Sequence, residues 1–188
     1  ESERTVRMVY VFLAEGFEEV EALATVDVLR RCGIQVQTVG VGGTTVTGSH
    51  GISVCADLED VHATKCDGLE AVVLPGGMPG TLHLEQSEIV QSFVDYAVRH
   101  EILLCAICAA PSILGHLGLL AGKKATCFPG FEEQLTGAQV TGEPAVQDGK
   151  IITGKGAGCV FEFALLIGQA LQGAQKADEI RKSMQCIG

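Results

Sequence analysis

The sequence predicts a single α/β domain whose central sheet is mainly parallel and carries helices on both faces. Three observations support this prediction. Apolar runs of strand length alternate with segments of helical periodicity, glycine and proline separate them, and no linker or repeat interrupts the alternation. A chain of 188 residues also suits one domain with its own core. We expect one domain over residues 1–188, with residues 1–5 as a loose N-terminus.

The first part of the chain predicts a strand, a helix and a second strand. The run at 6–13 is apolar and β-branched and stops before Gly16, as a buried parallel strand does. Residues 18–32 follow a helical period, with acids in the first turn, arginines in the last and Gly33 as the stop. Residues 34–41 read as strand again. The predicted apolar face of the helix holds Val20, Leu23, Ala24, Val28 and Leu29.

The rest of the chain predicts further strands and helices. In order they are a hairpin with arms 44–46 and 52–54 around a turn at 47–51, a strand at 70–74, a helix at 87–99, a strand at 102–107, a helix at 109–117, strands at 140–146 and 150–153 around a turn at 147–149, and helices at 160–171 and 174–184. Functional sites in such sheets form at the carboxyl ends of strands. The candidate loops therefore follow Leu13, Leu74 and Ile107.

Composition excludes several classes of protein. Hydrophobic residues make up 47% and charged residues 19% of the chain, which is a globular mixture. No apolar stretch reaches membrane-spanning length, and the chain enters its first strand without a signal peptide, so we expect a cytoplasmic protein. A net charge of −10 argues against nucleic acid and anionic membranes as partners.

The eight cysteines are scattered among apolar neighbours, which is typical of reduced thiols in a cytosolic protein. Their spacing predicts no metal site. Cys105 and Cys108 form the only C-x-x-C pair, with no second pair and no histidine at ligand spacing. Disulfide exchange through this pair is disfavoured because Cys105 falls inside a strand, whereas redox pairs begin at a helix start.

Cys108 stands where the strand at 102–107 meets a helix start with almost no connecting residues. Its neighbours are small, as the tight turn of a nucleophile elbow requires, and Pro111 suits the first helical turn. The helix start is expected to favour thiolate over thiol. The alternative is that Cys108 is only a small core residue. This segment alone does not decide between the two.

Two other loops contribute candidate groups. Gly76 and Gly77 follow a buried strand, so their backbone N–H groups can turn towards an anion or a developing oxyanion. Taken alone, a plain turn is the simpler interpretation. Glu21 lies beside the apolar face of its helix, where a half-buried carboxyl would have a raised pKa and could donate a proton to a thiolate. A solvated helix acid is its alternative, and Glu18 and Glu19 read as ordinary acids of a first turn.

Five segments together resemble the ThiJ/PfpI superfamily, in the branch of the parkinsonism-associated deglycase and its bacterial relatives. The matching segments are 14–21, 26–34, 72–77, 106–111 and 154–164, in the family's order and over nearly the whole chain. The resemblance implies a flavodoxin-like three-layer sandwich and a homodimer. It implies that Cys108 is the nucleophilic, oxidation-prone cysteine and that Glu21 is the acid hydrogen-bonded to it.

The resemblance also assigns the surroundings of the cysteine. It implies an oxyanion pocket formed by the N–H groups of Gly77 and Ala109. Asp27 and Arg31 match family positions near the dimer interface. The pocket is further expected to include Gly76, Cys127, Phe128 and Lys155.

Three departures from the family pattern bear on function. Phe128 stands where this branch often has a histidine, and Ala109 stands where the peptidase-like branch has one, which counts against peptidase activity. Lys155 replaces an arginine and so loses bidentate anion binding. Cys127, beside Phe128, could act as a resolving thiol for Cys108.

Two functional hypotheses follow from the resemblance. The first is a cysteine-dependent enzyme without cofactor, of glyoxalase or deglycase type, which acts on small α-oxoaldehydes such as methylglyoxal and glyoxal or on their early glycated adducts. The second is an oxidative-stress sensor or chaperone-like protein in which Cys108 is oxidised to sulfinate and Glu21 stabilises it.

Overall fold

A seven-stranded sheet lies at the centre of the computed structural model, which describes residues 7–187. Its strands and those of two accessory sheets are β1 (Met8–Leu13), β2 (Gln35–Gly40), β3 (Thr45–Thr47), β4 (Ser53–Cys55), β5 (Leu58–Glu59), β6 (Leu69–Leu74), β7 (Leu103–Ile107), β8 (Lys124–Ala125), β9 (Gln139–Val140), β10 (Ala145–Asp148) and β11 (Ile151–Gly154). The helices are α1 (Glu19–Arg31), α2 (Gly80–Gln86), α3 (Glu88–Arg99), α4 (Pro111–His116), α5 (Val160–Gln172) and α6 (Ala174–Ser183). The predicted loose N-terminus at 1–5 lies outside the described residues.

The strand order of the large sheet is β10-β11-β7-β6-β1-β2-β5. Neighbouring strands are parallel except β10, which runs antiparallel to β11. Taken in chain order, β1, β2, β6, β7 and β11 follow the 2-1-3-4-5 arrangement of flavodoxin-like sheets. The sequences of β1, β6 and β7 are nearly continuous apolar runs because both faces of these strands are buried. The predicted mainly parallel sheet is confirmed.

Two apolar core layers cover the two faces of the sheet. One layer joins the strands to α2, α3 and α4 through residues such as Leu84, Phe93 and Ile113. The other joins them to α1 and α5 through Leu29 and Phe163. Helices therefore lie on both faces, as the sandwich architecture requires. None of the helices between residues 7 and 187 is long and apolar enough to cross a membrane.

The face of α1 that packs on the sheet differs from the predicted face. Val20 and Leu23 are 51% and 38% exposed, whereas Glu21, Ala22 and Thr25 are buried. The helix can bury this polar edge because the Thr25 hydroxyl donates to the Glu21 carbonyl oxygen at 2.7 Å. The prediction of Val20 and Leu23 as core residues is wrong. Apolar side chains occur on both sides of this helix, so periodicity alone does not choose the buried one.

Two further elements differ from the predictions. The strand predicted at 140–146 is divided, because β9 pairs with β8 while β10 pairs with β11. Gly142 and Pro144 lie between β9 and β10, and both residues weaken strand pairing. The sequence pattern does not predict the helix α2, because glycine and proline at its start have low helix propensity. The predicted hairpin is confirmed as the antiparallel pair of β3 and β4.

Candidate active site at Cys108

Cys108 follows β7 directly and lies at the carboxyl end of the sheet. Its φ is 66°, a left-handed backbone that residues other than glycine seldom adopt. The strained turn is held from both sides, because the Cys108 N–H donates to the Gly154 carbonyl at 2.9 Å and its carbonyl accepts from the Phe128 N–H at 2.8 Å. The thiol is half-buried. These features are those of a nucleophile elbow.

Glu21 reaches the same place from α1 and is 1% exposed. Its Oε1 accepts a hydrogen bond from the Gly76 N–H at 3.0 Å, while its Oε2 has no hydrogen-bond partner among the described residues. A side chain on residue 76 would bring its Cβ within 2.7 Å of both the Cys108 Cβ and Glu21 Oε1. Glycine at this position therefore allows the thiol and the carboxyl to lie side by side.

Burial raises the pKa of Glu21 from its ordinary value of 4.5 to about 7. The Cys108 side chain and the Gly76 N–H oppose this rise, and the charge of Glu18 adds to it. The carboxyl thus holds its proton over most of the acidic range. The alternative of a solvated helix acid is excluded by this burial.

The thiol of Cys108 has its pKa raised to about 12, first by burial and then by the charge of Glu21. The expectation that the helix start favours the thiolate is wrong for the state in which Glu21 is ionised. The helix α4 begins only at Pro111, and burial of the thiol is the largest cause of the raised pKa. When Glu21 carries a proton, the repulsion disappears and its O–H can donate to the sulfur, so the two groups titrate as a pair.

The backbone N–H groups of Gly77 and Ala109 both favour the charged form of the Cys108 sulfur. Gly77 has a φ of 92°, and a Cβ there would lie 2.5 Å from the Glu18 nitrogen, so this loop position requires glycine. The Glu18 N–H in turn donates to the Gly76 carbonyl at 2.9 Å. The glycine loop after β6 and the start of α1 thus form one wall of the site.

The other residues expected in the pocket have different surroundings. Phe128 is 48% exposed, with its ring against Gly156, and it reaches Cys108 through its backbone. The Lys155 Nζ donates to the Gly142 carbonyl at 3.2 Å. Cys127 is buried in the core layer shared with α2, α3 and α4, whereas Cys108 packs on the other layer. The role of Cys127 as a resolving thiol stays a prediction.

Cys105 is fully buried within β7, and burial raises the pKa of its thiol strongly. This burial disfavours disulfide exchange through Cys105 and Cys108, because the first thiol of a redox pair must be exposed. Asp27 and Arg31 form an ion pair with 2.6 Å between Oδ1 and Nε on the outer side of α1.

A cluster at the edge of the site was missed by sequence reasoning. Glu19 is 4% exposed, its Oε1 accepts from the N–H groups of His50 and Ile52, and its Oε2 lies 3.0 Å from His50 Nδ1. Although burial acts to raise it, these hydrogen bonds hold the pKa of Glu19 below its ordinary value. Glu19 and His50 are 31 positions apart, so no local signal reveals the contact.

The same cluster is where the described residues bring three metal-ligating side chains together. The ligand atoms of Glu18, Glu19 and His50 all lie within 4.8 Å of one another. Both oxygens of Glu19 already have hydrogen-bond partners in His50 and Ile52, so the cluster is held together by hydrogen bonds.

The doubly wound sheet and the cysteine on a strand–helix elbow define the class of protein: an α/β protein with a cysteine–carboxyl centre at the carboxyl edge of its sheet. The chain belongs to the DJ-1/PfpI family, whose family profile matches residues 7–170. The resemblance inferred from the motifs is thereby confirmed.

Named relatives cover nearly the whole chain. Protein dj-1beta of Drosophila melanogaster is 36% identical over 177 residues, which is 93% of this chain and 94% of the relative. Glutathione-independent glyoxalase DJR-1.2 of Caenorhabditis elegans is 32% identical over 174 residues, covering 90% of this chain and 91% of the relative.

Solved structures show the same fold. The crystal structure of Drosophila melanogaster DJ-1beta superposes with a TM-score of 0.90 at 34% identity, covering 97% of this chain and 99% of that structure. The oxidized form of Toxoplasma gondii DJ-1 superposes with a TM-score of 0.87 at 29% identity, covering 95% of this chain and 98% of that structure.

Proposed function

We propose that this protein is a cysteine-dependent, cofactor-independent enzyme that converts α-oxoaldehydes such as methylglyoxal and glyoxal, or removes their early adducts. The observation that carries the proposal is the buried carboxyl of Glu21, which lies beside Cys108 and has a pKa raised to about 7. A carboxyl with this pKa can both give and take a proton near neutral pH. The relative named a glutathione-independent glyoxalase supports the same activity. Peptidase activity is not expected, since neither Ala109 nor Phe128 supplies an imidazole.

The first step forms a carbon–sulfur bond. The thiolate of Cys108 attacks the aldehyde carbon, and the electron pair of the C=O bond moves to its oxygen. The Glu21 carboxyl gives its proton to that oxygen, which completes a hemithioacetal. The N–H groups of Gly77 and Ala109 stabilise the negative charge while it develops.

The second step moves a hydrogen between the two substrate carbons. The Glu21 carboxylate removes the proton from the carbon bonded to sulfur, which gives an enediol, and a proton returns to the neighbouring carbon. The product is a thioester of a 2-hydroxy acid, which water cleaves to regenerate the thiol. The sum is aldehyde plus water to 2-hydroxy acid, so the reaction consumes no oxidant, reductant or cofactor.

The test is lactate formation from methylglyoxal by the purified protein without glutathione. We expect turnover in the wild type and none in Cys108→Ser, because a serine hydroxyl stays protonated at neutral pH. Cys105→Ser is the matched control and keeps most of the activity, since Cys105 packs inside β7. Lactate must be measured, because aldehyde loss alone can reflect adducts on the eight thiols. A wild type that forms no lactate contradicts the proposal.

A second proposal is that Cys108 serves as a sensor of oxidants. One peroxide converts the thiolate to sulfenate and water, and a second gives sulfinate, which a protonated Glu21 can stabilise by a hydrogen bond. The solved oxidized relative supports this proposal, as does the partial exposure of the thiol, whose ionisation becomes easier when protonation of Glu21 removes the repulsion between the two groups. Peptide mass spectrometry after brief peroxide treatment should find Cys108 modified before the other cysteines. Preferential modification of Cys55 or Cys66 would contradict it, and selective oxidation without lactate formation would favour it over the enzyme.

We further propose that two copies of the chain associate through the outer side of α1. Val20 and Leu23 are exposed there next to the ion pair of Asp27 and Arg31. An apolar patch with a polar rim is the usual composition of a protein interface.

A further inference from the structure

The hairpin of β3 and β4 is fitted against the chain segment that leads into α1. The Gly16 N–H donates to the Thr47 carbonyl at 2.8 Å, and the Ser49 N–H donates to the Phe17 carbonyl at 2.7 Å. A Cβ on Gly48 would overlap the Glu19 carboxylate. The hairpin tip therefore has a defined position next to the wall of the Cys108 site.

His50 lies in this tip between two carboxylates. Its Nδ1 is 3.0 Å from Glu19 Oε2 and 3.4 Å from Glu18 Oε1. When protonated, the imidazole supplies a positive charge to both acids.

Glu18 links this tip to the reactive pair. Its Oε2 accepts a hydrogen bond from the Glu21 N–H at 2.8 Å, and its own N–H donates to the Gly76 carbonyl at 2.9 Å. Gly76 in turn donates to Glu21 Oε1 at 3.0 Å. The charge of Glu18 acts on Glu21 across this short distance and raises the pKa of the Glu21 carboxyl.

We propose that His50 is a positioning residue that sets, through Glu18, the pH at which the Glu21–Cys108 pair loses its first proton. The proposal rests on the pairing used in the proposed function. Other charged groups facing the tip are Glu19 from α1 and Glu15, whose Oε1 accepts from the Thr47 N–H at 3.1 Å. These groups are acids, so a positive charge at position 50 offsets their negative charge. With that positive charge present, the Glu21–Cys108 pair loses its first proton at a lower pH. When the positive charge is removed, the pair loses this proton only at a higher pH.

The experiment follows the rate of Cys108 alkylation by iodoacetamide against pH, read from the Cys108 peptide by mass spectrometry. His50→Lys fixes a positive charge and His50→Gln removes it. We expect the rising limb of the profile to move down in pH for the lysine variant and up for the glutamine variant, each by roughly half a pH unit. The control is His100→Gln. His100 is exposed and precedes β7, at the end of the strand opposite to Cys108, so this substitution should leave the profile unchanged.

The outcomes separate this inference from the function on which it rests. Shifts of opposite sign in the two His50 variants support the electrostatic role, since a damaged hairpin would change the rate in one direction at all pH values. Coincident profiles for the wild type and both His50 variants overturn it. A Glu21→Gln variant with the wild-type profile would overturn the Glu21–Cys108 pair itself, and with it this inference.

Discussion

At the scale of single residues, the protein buries an ionisable group, the carboxyl of Glu21, away from water. Glu21 has one oxygen bonded to Gly76 and one oxygen without a partner among the described residues. An ionised carboxyl in such a place is costly, whereas a protonated one can use its O–H towards the neighbouring sulfur. The chemistry proposed for Cys108 therefore accounts for this buried side chain better than stability does.

The raised pKa of Glu21 predicts how stability depends on pH. Between its ordinary value of 4.5 and about 7 the folded state binds the additional proton, so the free energy of unfolding falls as pH rises through this window. We expect this decrease in the free energy of unfolding to be smaller by about 3 kcal/mol in Glu21→Gln. Urea denaturation at about pH 5 and pH 8 measures the decrease in each variant.

The matched control for this measurement is Glu88→Gln, an exposed acid in the first turn of α3. It should show the same fall in stability as the wild type. An equally steep fall in Glu21→Gln would mean that the carboxyl titrates normally in the folded protein.

At the scale of elements, the β3–β4 hairpin depends on one carboxylate of α1. Glu19 accepts the N–H groups of His50 and Ile52, and the backbone of Gly48 packs directly on it. We expect Glu19→Ala to lower the free energy of unfolding by about 1–3 kcal/mol, because these N–H groups lose their acceptor. Glu88→Ala, at the corresponding first position of α3, should change stability far less. Equal losses in the two variants would contradict the anchoring role.

Prediction from sequence succeeded where the signal is local. The strands β1, β6 and β7 are apolar runs bounded by turn residues, so their positions follow from periodicity. The Glu19–His50 contact could not be predicted, since an acid in a first helical turn looks the same whether it is solvated or buried. The buried side of α1 was likewise decided by packing against α5 and the sheet rather than by its own pattern.

The site was predicted in part for the same reason. Cys108, Glu21 and Gly77 were identified by motif and resemblance, and the structure places all three at one end of the sheet. The direction of the thiol pKa was not predictable. It depends on how much of the sulfur is buried and on the charge of Glu21, neither of which a linear motif contains.

At the scale of the whole molecule, the proposed dimer can be tested at the exposed side of α1. We expect Leu23→Glu to convert a dimer into a monomer in sedimentation velocity, because it places a charge within an apolar patch. Leu82→Glu alters a similarly exposed leucine on α2 and should leave the assembly unchanged. A wild type that sediments as a monomer would contradict the proposal.

The two backbone hydrogen bonds that hold Cys108 in its strained turn come from Gly154 and from Phe128. Its acid partner comes from α1, near the other end of the described chain. A ribosome-bound chain that has not yet presented Gly154 therefore lacks the acceptor that keeps the elbow in place. The reactivity that we propose for Cys108 therefore requires the finished fold, and we expect selective labelling of Cys108 to report correct folding.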